Sequence, residues 1–218
     1  MSDRASFFFQ SLLDITARLR GDGGCPWDRE QTRSSLRPYL IEEAYEALEA
    51  LEEGRQEAIM EELGDVLFQV VFHAQIAQEL GEFTMADLLQ RLADKMVRRH
   101  PHVFGDTIVD NAQQALAQWE AIKRAEGDRD GNVRSALDGV PQKLPALLRA
   151  QRIQAKASRV GFDWPSRQAV WAKVREEISE MDEALEAMDR ARIEEELGDL
   201  LFSLVNMARH LNIDAEDS

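Results

Sequence analysis

Apolar residues recur along the chain at intervals of three and four, the period of helices that bury one face. Leu12, Ile15 and Leu19 mark a first helix, ended by Gly21-Asp22-Gly23-Gly24. After Pro38 a second carries Leu40, Ala44, Ala47, Leu48 and Leu51 on one stripe and stops at Gly54. A third holds Ile59, Leu63, Leu67, Val70, Val71 and Ala74 and stops near Gly81. Thr84 is the expected N-cap of a fourth, with Asp87 in the capping-box position, and Pro101 stops it beyond Arg99. Another helix is expected over 112–126, and further ones over 144–158, 169–188 and 192–211. The stretch from Gly127 to Asn132 is polar and glycine-rich, so it reads as a linker. No segment alternates as a strand does. The expected fold is all-α, with a helical domain over 1–126, a linker over 127–143 and a second, shorter helical domain over 144–218.

The two halves repeat. Glu42-Glu43-Ala44-Tyr45-Glu46 returns as Glu176-Glu177-Ile178-Ser179-Glu180, and Glu61-Glu62-Leu63-Gly64-Asp65 returns as Glu195-Glu196-Leu197-Gly198-Asp199. One offset relates both pairs without a gap, yet the six residues between Glu52 and Ile59 share no identity with their counterparts. Acids and helix cores are kept while the turn drifts. A duplicated helical hairpin explains this pattern, provided its acidic positions matter more than its loop.

Residues three apart share a helix face, so Glu43 and Glu46 point one way, as do Glu62 and Asp65 on the next helix. A short turn near Gly54 makes those helices antiparallel neighbours and lets the four carboxylates converge. Converging carboxylates repel, and partial burial raises the cost of their charge. A hard divalent cation relieves both penalties, and an all-oxygen donor set favours Mg²⁺, with Mn²⁺ as a substitute. The repeat extends this to Glu177, Glu180, Glu196 and Asp199. For Glu49, Glu52, Glu53 and Glu57 a solvated acidic face suffices. Glu42 and Glu61 admit several roles: a supporting acid, a general base or plain surface.

Charge narrows the partners. The chain has 41 acidic and 26 basic side chains, a formal net charge of -15, which argues against nucleic acid as the main partner. A single nucleotide needs only a metal and a local basic cluster. Lys95 and Arg99 share one helix face and Trp119 and Lys123 another, a combination suited to phosphate oxygens and a stacked base. The lone Cys25 forms no internal disulfide, and no apolar run reaches membrane length, so a cytoplasmic protein without membrane contact is expected. None of the four histidines follows a Glu by three residues, which removes the di-iron bundle pattern. Phosphate-cradling glycine loops of the Walker or dinucleotide type are absent too.

With these residues in view, the chain resembles the MazG family of nucleoside triphosphate pyrophosphohydrolases. The family pattern Glu-Glu-x-x-Glu followed by Glu-x-x-Asp stands here twice, at Glu42 to Asp65 and Glu176 to Asp199. Further similar segments are Gly24-Cys25-Pro26-Trp27-Asp28, Arg98-Arg99-His100-Pro101-His102 and Val160-Gly161-Phe162-Asp163-Trp164. The resemblance implies Mg²⁺-dependent hydrolysis of NTPs or dNTPs to the monophosphate and pyrophosphate. It implies Glu43, Glu46, Glu62 and Asp65 as metal ligands, with Glu42, Glu43 and Glu46 as the catalytic acids. It also implies that Lys95, Arg99, Trp119 and Lys123 contact the nucleotide, and that the chain forms a homodimer or larger homo-oligomer. Counterparts of those four contact residues would fall beyond Ser218, so turnover is expected in the first half. Two other readings are open at this stage. One is a non-catalytic dimerisation and nucleotide-sensing module, and the other is the same chemistry on an aberrant dNTP or guanosine tetraphosphate.

Overall fold

A computed structural model describes residues 2–128, 135 and 137–218, so part of the expected linker (129–134 and 136) lies outside the described residues. The fold is all-α, with no strand among those residues. Two compact units result, 1–106 and 107–218. The first holds α1 (Ser2–Arg20), α2 (Pro26–Glu30), α3 (Arg37–Glu53), α4 (Gln56–Glu79), α5 (Met85–Arg99) and α6 (Pro101–Phe104). The second holds α7 (Ala112–Asp128), α8 (Ala146–Arg159), α9 (Arg167–Glu186) and α10 (Arg190–Leu211). The division at 106/107 puts α7 with the second unit, where Arg159 of α8 pairs with Glu120. None of these helices is long and apolar enough to cross a membrane.

Each unit is organised on a hairpin, α3–α4 or α9–α10, with a further helix against its second arm: α1 on α4, α8 on α10. The first hairpin turns at Gly54, whose φ of 70° lies in the left-handed region that glycine enters freely. The same register of the second hairpin holds Met188 at φ 52°. There Asp189 caps α10, accepting from the backbone N–H groups of Ala191 and Arg192. Thr84 and Asp87 form the expected capping box on α5.

Burial departs from the expected stripes. On α3, Ala47 and Ala50 are buried, whereas Leu48 and Leu51 are each 52% exposed. On α4 the buried face is Gln69, Val71, Phe72, Ala74, Ile76 and Ala77, with Leu63 and Leu67 left exposed. Small side chains let the two helices of the hairpin approach closely, and the large leucines then point away from the seam. The core of the first unit gathers Leu36, Phe72 and Ile76 with Phe68, and Val71, Ala74 and Met85 with Phe9 and Leu12.

Arg20, at the end of α1, ties three elements together. Its Nε and Nη2 donate to the Glu79 carboxylate at 2.7–3.1 Å, and its Nη1 donates to the carbonyls of Asp28 and Gln31. Its guanidinium carbon lies 5.2 Å from the centroid of Phe72. The hydrogen bonds from Arg20 hold the Glu79 carboxyl below its ordinary value of 4.5. A depressed folded-state value contributes stability above that pH, which is lost as pH falls through the folded-state value. Arg20→Met is therefore expected to cost on the order of 2 kcal/mol at neutral pH. Glu79→Gln is expected to cost less, and its deficit should shrink as pH falls below the ordinary value of 4.5 and through the lower folded-state value, read in urea melts across pH.

Candidate active site: two carboxylate clusters

The repeated acids come together within each unit. Carboxylate oxygens of Glu43 on α3 and of Glu62 and Asp65 on α4 all lie within 4.8 Å of one another. Glu177 on α9 and Glu196 and Asp199 on α10 do the same in the second unit. Glu46 and Glu180 stand one turn along, beside the carboxyls of Glu43 and Glu177. Glu42 is exposed on α3, outside the triplet.

The electrostatics of the two clusters differ. In the first, burial pushes the Glu43 carboxyl above its ordinary value, and Asp65 and Glu46 add to that. The Gln69 amide, 3.4 Å away, opposes the shift by donating to Glu43. Glu62 is raised as well, by desolvation and then by Glu46, Glu61 and Asp65. Among the described residues no ion pair ends on these four acids. In the second cluster Lys173 Nζ lies 2.7 Å from both Glu176 and Glu177, and Arg192 Nε lies 3.6 Å from Glu196. The carboxylates hold the Lys173 ammonium well above its ordinary value. Desolvation raises Glu180, with Lys173 acting against it. In the repeat register Lys173 replaces Tyr39 and Arg192 replaces Ala58.

Counterparts of Lys95, Arg99, Trp119 and Lys123 fall beyond Ser218, but two cations outside that set, Lys173 and Arg192, stand directly at the second cluster. Their signal was legible, since each lies four residues before an acid of the motif, one turn along the same face. The basic and aromatic residues singled out earlier divide between units. Lys95 and Arg99 are on α5 of the first, where Lys95 lines an open cleft with Phe83, Leu88 and Leu92. Trp119 and Lys123 are on α7 of the second, with Lys123 Nζ 5.0 Å from the indole centroid.

Each cluster offers only oxygen donors, crowded and partly desolvated, which suits a hard divalent cation and not a soft or borderline one. Two all-α hairpins, each joining Glu-x-x-Glu to Glu-x-x-Asp, thus set acidic groups that could hold a metal ion twice in one chain. The chain belongs to the MazG nucleotide pyrophosphohydrolase family, whose domain profile matches residues 31–104 and 166–218. It is 48% identical over 214 residues to the nucleoside triphosphate pyrophosphohydrolase/pyrophosphatase MazG of Thermotoga maritima, covering 98% of this chain and 80% of that protein. It is also 51% identical over 208 residues to the nucleoside triphosphate pyrophosphohydrolase of Escherichia coli, covering 94% of this chain and 79% of that one.

Proposed function

We propose that this enzyme hydrolyses nucleoside triphosphates to the monophosphate and pyrophosphate with Mg²⁺, which Mn²⁺ can replace. The observation that carries the reading is the pair of carboxylate triplets, each within 4.8 Å, in a member of this family. The names of the Thermotoga and Escherichia relatives support the substrate class. Glu43, Glu46, Glu62 and Asp65 would hold the metal in the first unit, and Glu177, Glu180, Glu196 and Asp199 in the second. When bound, Mg²⁺ neutralises phosphate oxygens and polarises the phosphorus toward attack.

The chain's own residues supply the rest. Lys173 and Arg192 flank the second cluster, where their charges meet the phosphate oxygens once a metal has taken over the carboxylates. Glu42 and its counterpart Glu176, exposed acids at the motif's first position, are the proposed acceptors of a proton from the attacking water. Lys95 and Arg99 are proposed phosphate contacts of the first unit, and Trp119 and Lys123 proposed nucleotide contacts of the second. Turnover is assigned to the second unit, because among the described residues it is there that cations pair with the acids. Pyrophosphate release over a panel of NTPs and dNTPs, with Mg²⁺ and with excess EDTA, tests the reading. Release that persists in EDTA, or no release from any nucleotide, overturns it.

A homodimer or larger homo-oligomer is part of the proposal. Leu48, Leu51, Leu63 and Leu67 leave one side of the first hairpin apolar, and Ile178, Leu185, Leu197 and Leu201 do the same in the second. Faces of that kind are ordinarily covered. Light scattering at micromolar concentration is expected to give at least twice the chain mass of 24.8 kDa. A mass of one chain refutes it.

A further inference from the structure

The outer side of α9 is patterned to meet a second copy of itself. Trp171, Arg175, Ile178, Asp182 and Leu185 follow one another at intervals of four and three, which sets them in one stripe along the helix. All five are exposed, and the three apolar ones are each nearly half so. Leu197, Leu201, Leu204, Ala208 and Leu211 keep the same spacing on α10. A shallow cleft of about 330 Å³ joins the two stripes, lined by Trp171 and Arg175 of α9 and by Met207 and Leu211 of α10. Both stripes therefore lie on one side of the second hairpin.

The charges on α9 are ordered about the middle of its stripe. Arg175 stands three residues before Ile178 and Asp182 four residues after it, while Trp171 and Leu185 stand seven residues to either side. The N-terminal half of this side is basic, with Arg167 and Arg175, and the C-terminal half is acidic, with Asp182 and Glu186. Among the described residues none of these four takes part in an ion pair or a side-chain hydrogen bond. An antiparallel copy of α9, related by a two-fold axis at Ile178, brings Arg175 of each copy to Asp182 of the other. It also brings each Leu185 to the opposite Trp171 and the cleft beside it. A parallel copy would set Arg175 on Arg175 and Asp182 on Asp182. A charge within an apolar seam costs free energy unless its opposite meets it, so such residues fix register and orientation.

The first hairpin carries no such charges at these registers. Ile41 and Leu48 stand where the second has Arg175 and Asp182, with Ala44 in place of Ile178. The first hairpin of one chain laid on the second hairpin of another would strand both charges against aliphatic side chains, a mismatch that selects against that pairing. We propose that α9 forms a two-fold, antiparallel contact between the second units of two copies, centred on Ile178 and held in register by two Arg175–Asp182 pairs. It rests on the reading of the chain as a homo-oligomer, and adds to it the face, the orientation and the choice of hairpin.

Cysteine crosslinking in the full chain tests this contact. On a Cys25→Ser background, Ile178→Cys puts its thiol on the axis and is expected to oxidise to a disulfide-linked dimer in most of the protein. Leu185→Cys would hold its two thiols about 20 Å apart and should crosslink at least tenfold less. Both positions are exposed, and thermal melts verify folding. Added to Ile178→Cys, either Arg175→Asp or Asp182→Arg sets like charges opposite each other and should lower the yield at least about fivefold. Mixed one to one, these two variants present opposite charges at both contacts, and the yield should return to within about twofold of Ile178→Cys alone. Equal crosslinking through Leu185→Cys, or a yield that the charge changes leave untouched, overturns the proposal. So does a dimer by light scattering that never crosslinks through Ile178→Cys. A single-chain mass in that measurement defeats the homo-oligomer itself, which keeps the two failures apart.

Discussion

Glu180→Gln and Asp199→Asn are each expected to lower pyrophosphate release at least a hundredfold, while Glu46→Gln and Asp65→Asn retain most of it. Each change removes one negative oxygen donor from a crowded site and leaves a side chain of the same shape. Metal affinity should fall with the lost charge. Stability should hold or rise, because repulsion among the remaining carboxylates is relieved. The two pairs of variants occupy the same registers of the two hairpins, so the difference between them reads out which unit turns substrate over. The assignment to the second unit rests on Lys173 and Arg192 at its acids. If Glu46→Gln is the silencing change and Glu180→Gln is nearly neutral, turnover belongs to the first unit.

Lys173→Met and Arg192→Met should separate binding from metal affinity. Without nucleotide, Lys173 occupies the negative field that a cation would otherwise fill, bonded to both Glu176 and Glu177. Removing it is expected to raise Mn²⁺ affinity in the nucleotide-free protein severalfold, read from the electron paramagnetic resonance of free Mn²⁺. The same variant loses a positive charge at the triphosphate and should raise KM about tenfold or more, with a further loss in the double variant. A variant that binds Mn²⁺ no better and keeps its KM would leave Lys173 a surface ion pair.

Much of this architecture was legible from residue order. The three-and-four period, the glycine stops and the Thr84 capping box marked the long helices to within a few residues. The duplicated acids announced both carboxylate clusters. Two short helices escaped: Pro101 read only as a stop, whereas proline at the first helical position starts a helix as readily as it ends one, as Pro26 and Pro101 both do here. Side-chain burial was harder to foresee. Periodicity marks an apolar stripe but not which residues face the seam, and here Ala47 and Ala50 take the seam while Leu48 and Leu51 stay outside. Arg20 was unreadable because its partners, Glu79 and two carbonyls, are brought to it only by the fold. Lys173 and Arg192 were readable in principle. Each is a position where the two copies of the hairpin differ, and the differences inside a duplication locate its specialised parts as surely as the identities locate its shared ones.

The central claim is cleavage between the α- and β-phosphates at a carboxylate-held divalent cation. Phosphorus NMR of the first products formed from ATP and Mg²⁺ in ¹⁸O-labelled water tests it most directly. The account predicts AMP and pyrophosphate in equal amounts, with one oxygen from water carried by the phosphorus that it attacks. Orthophosphate and ADP as the first products would contradict it.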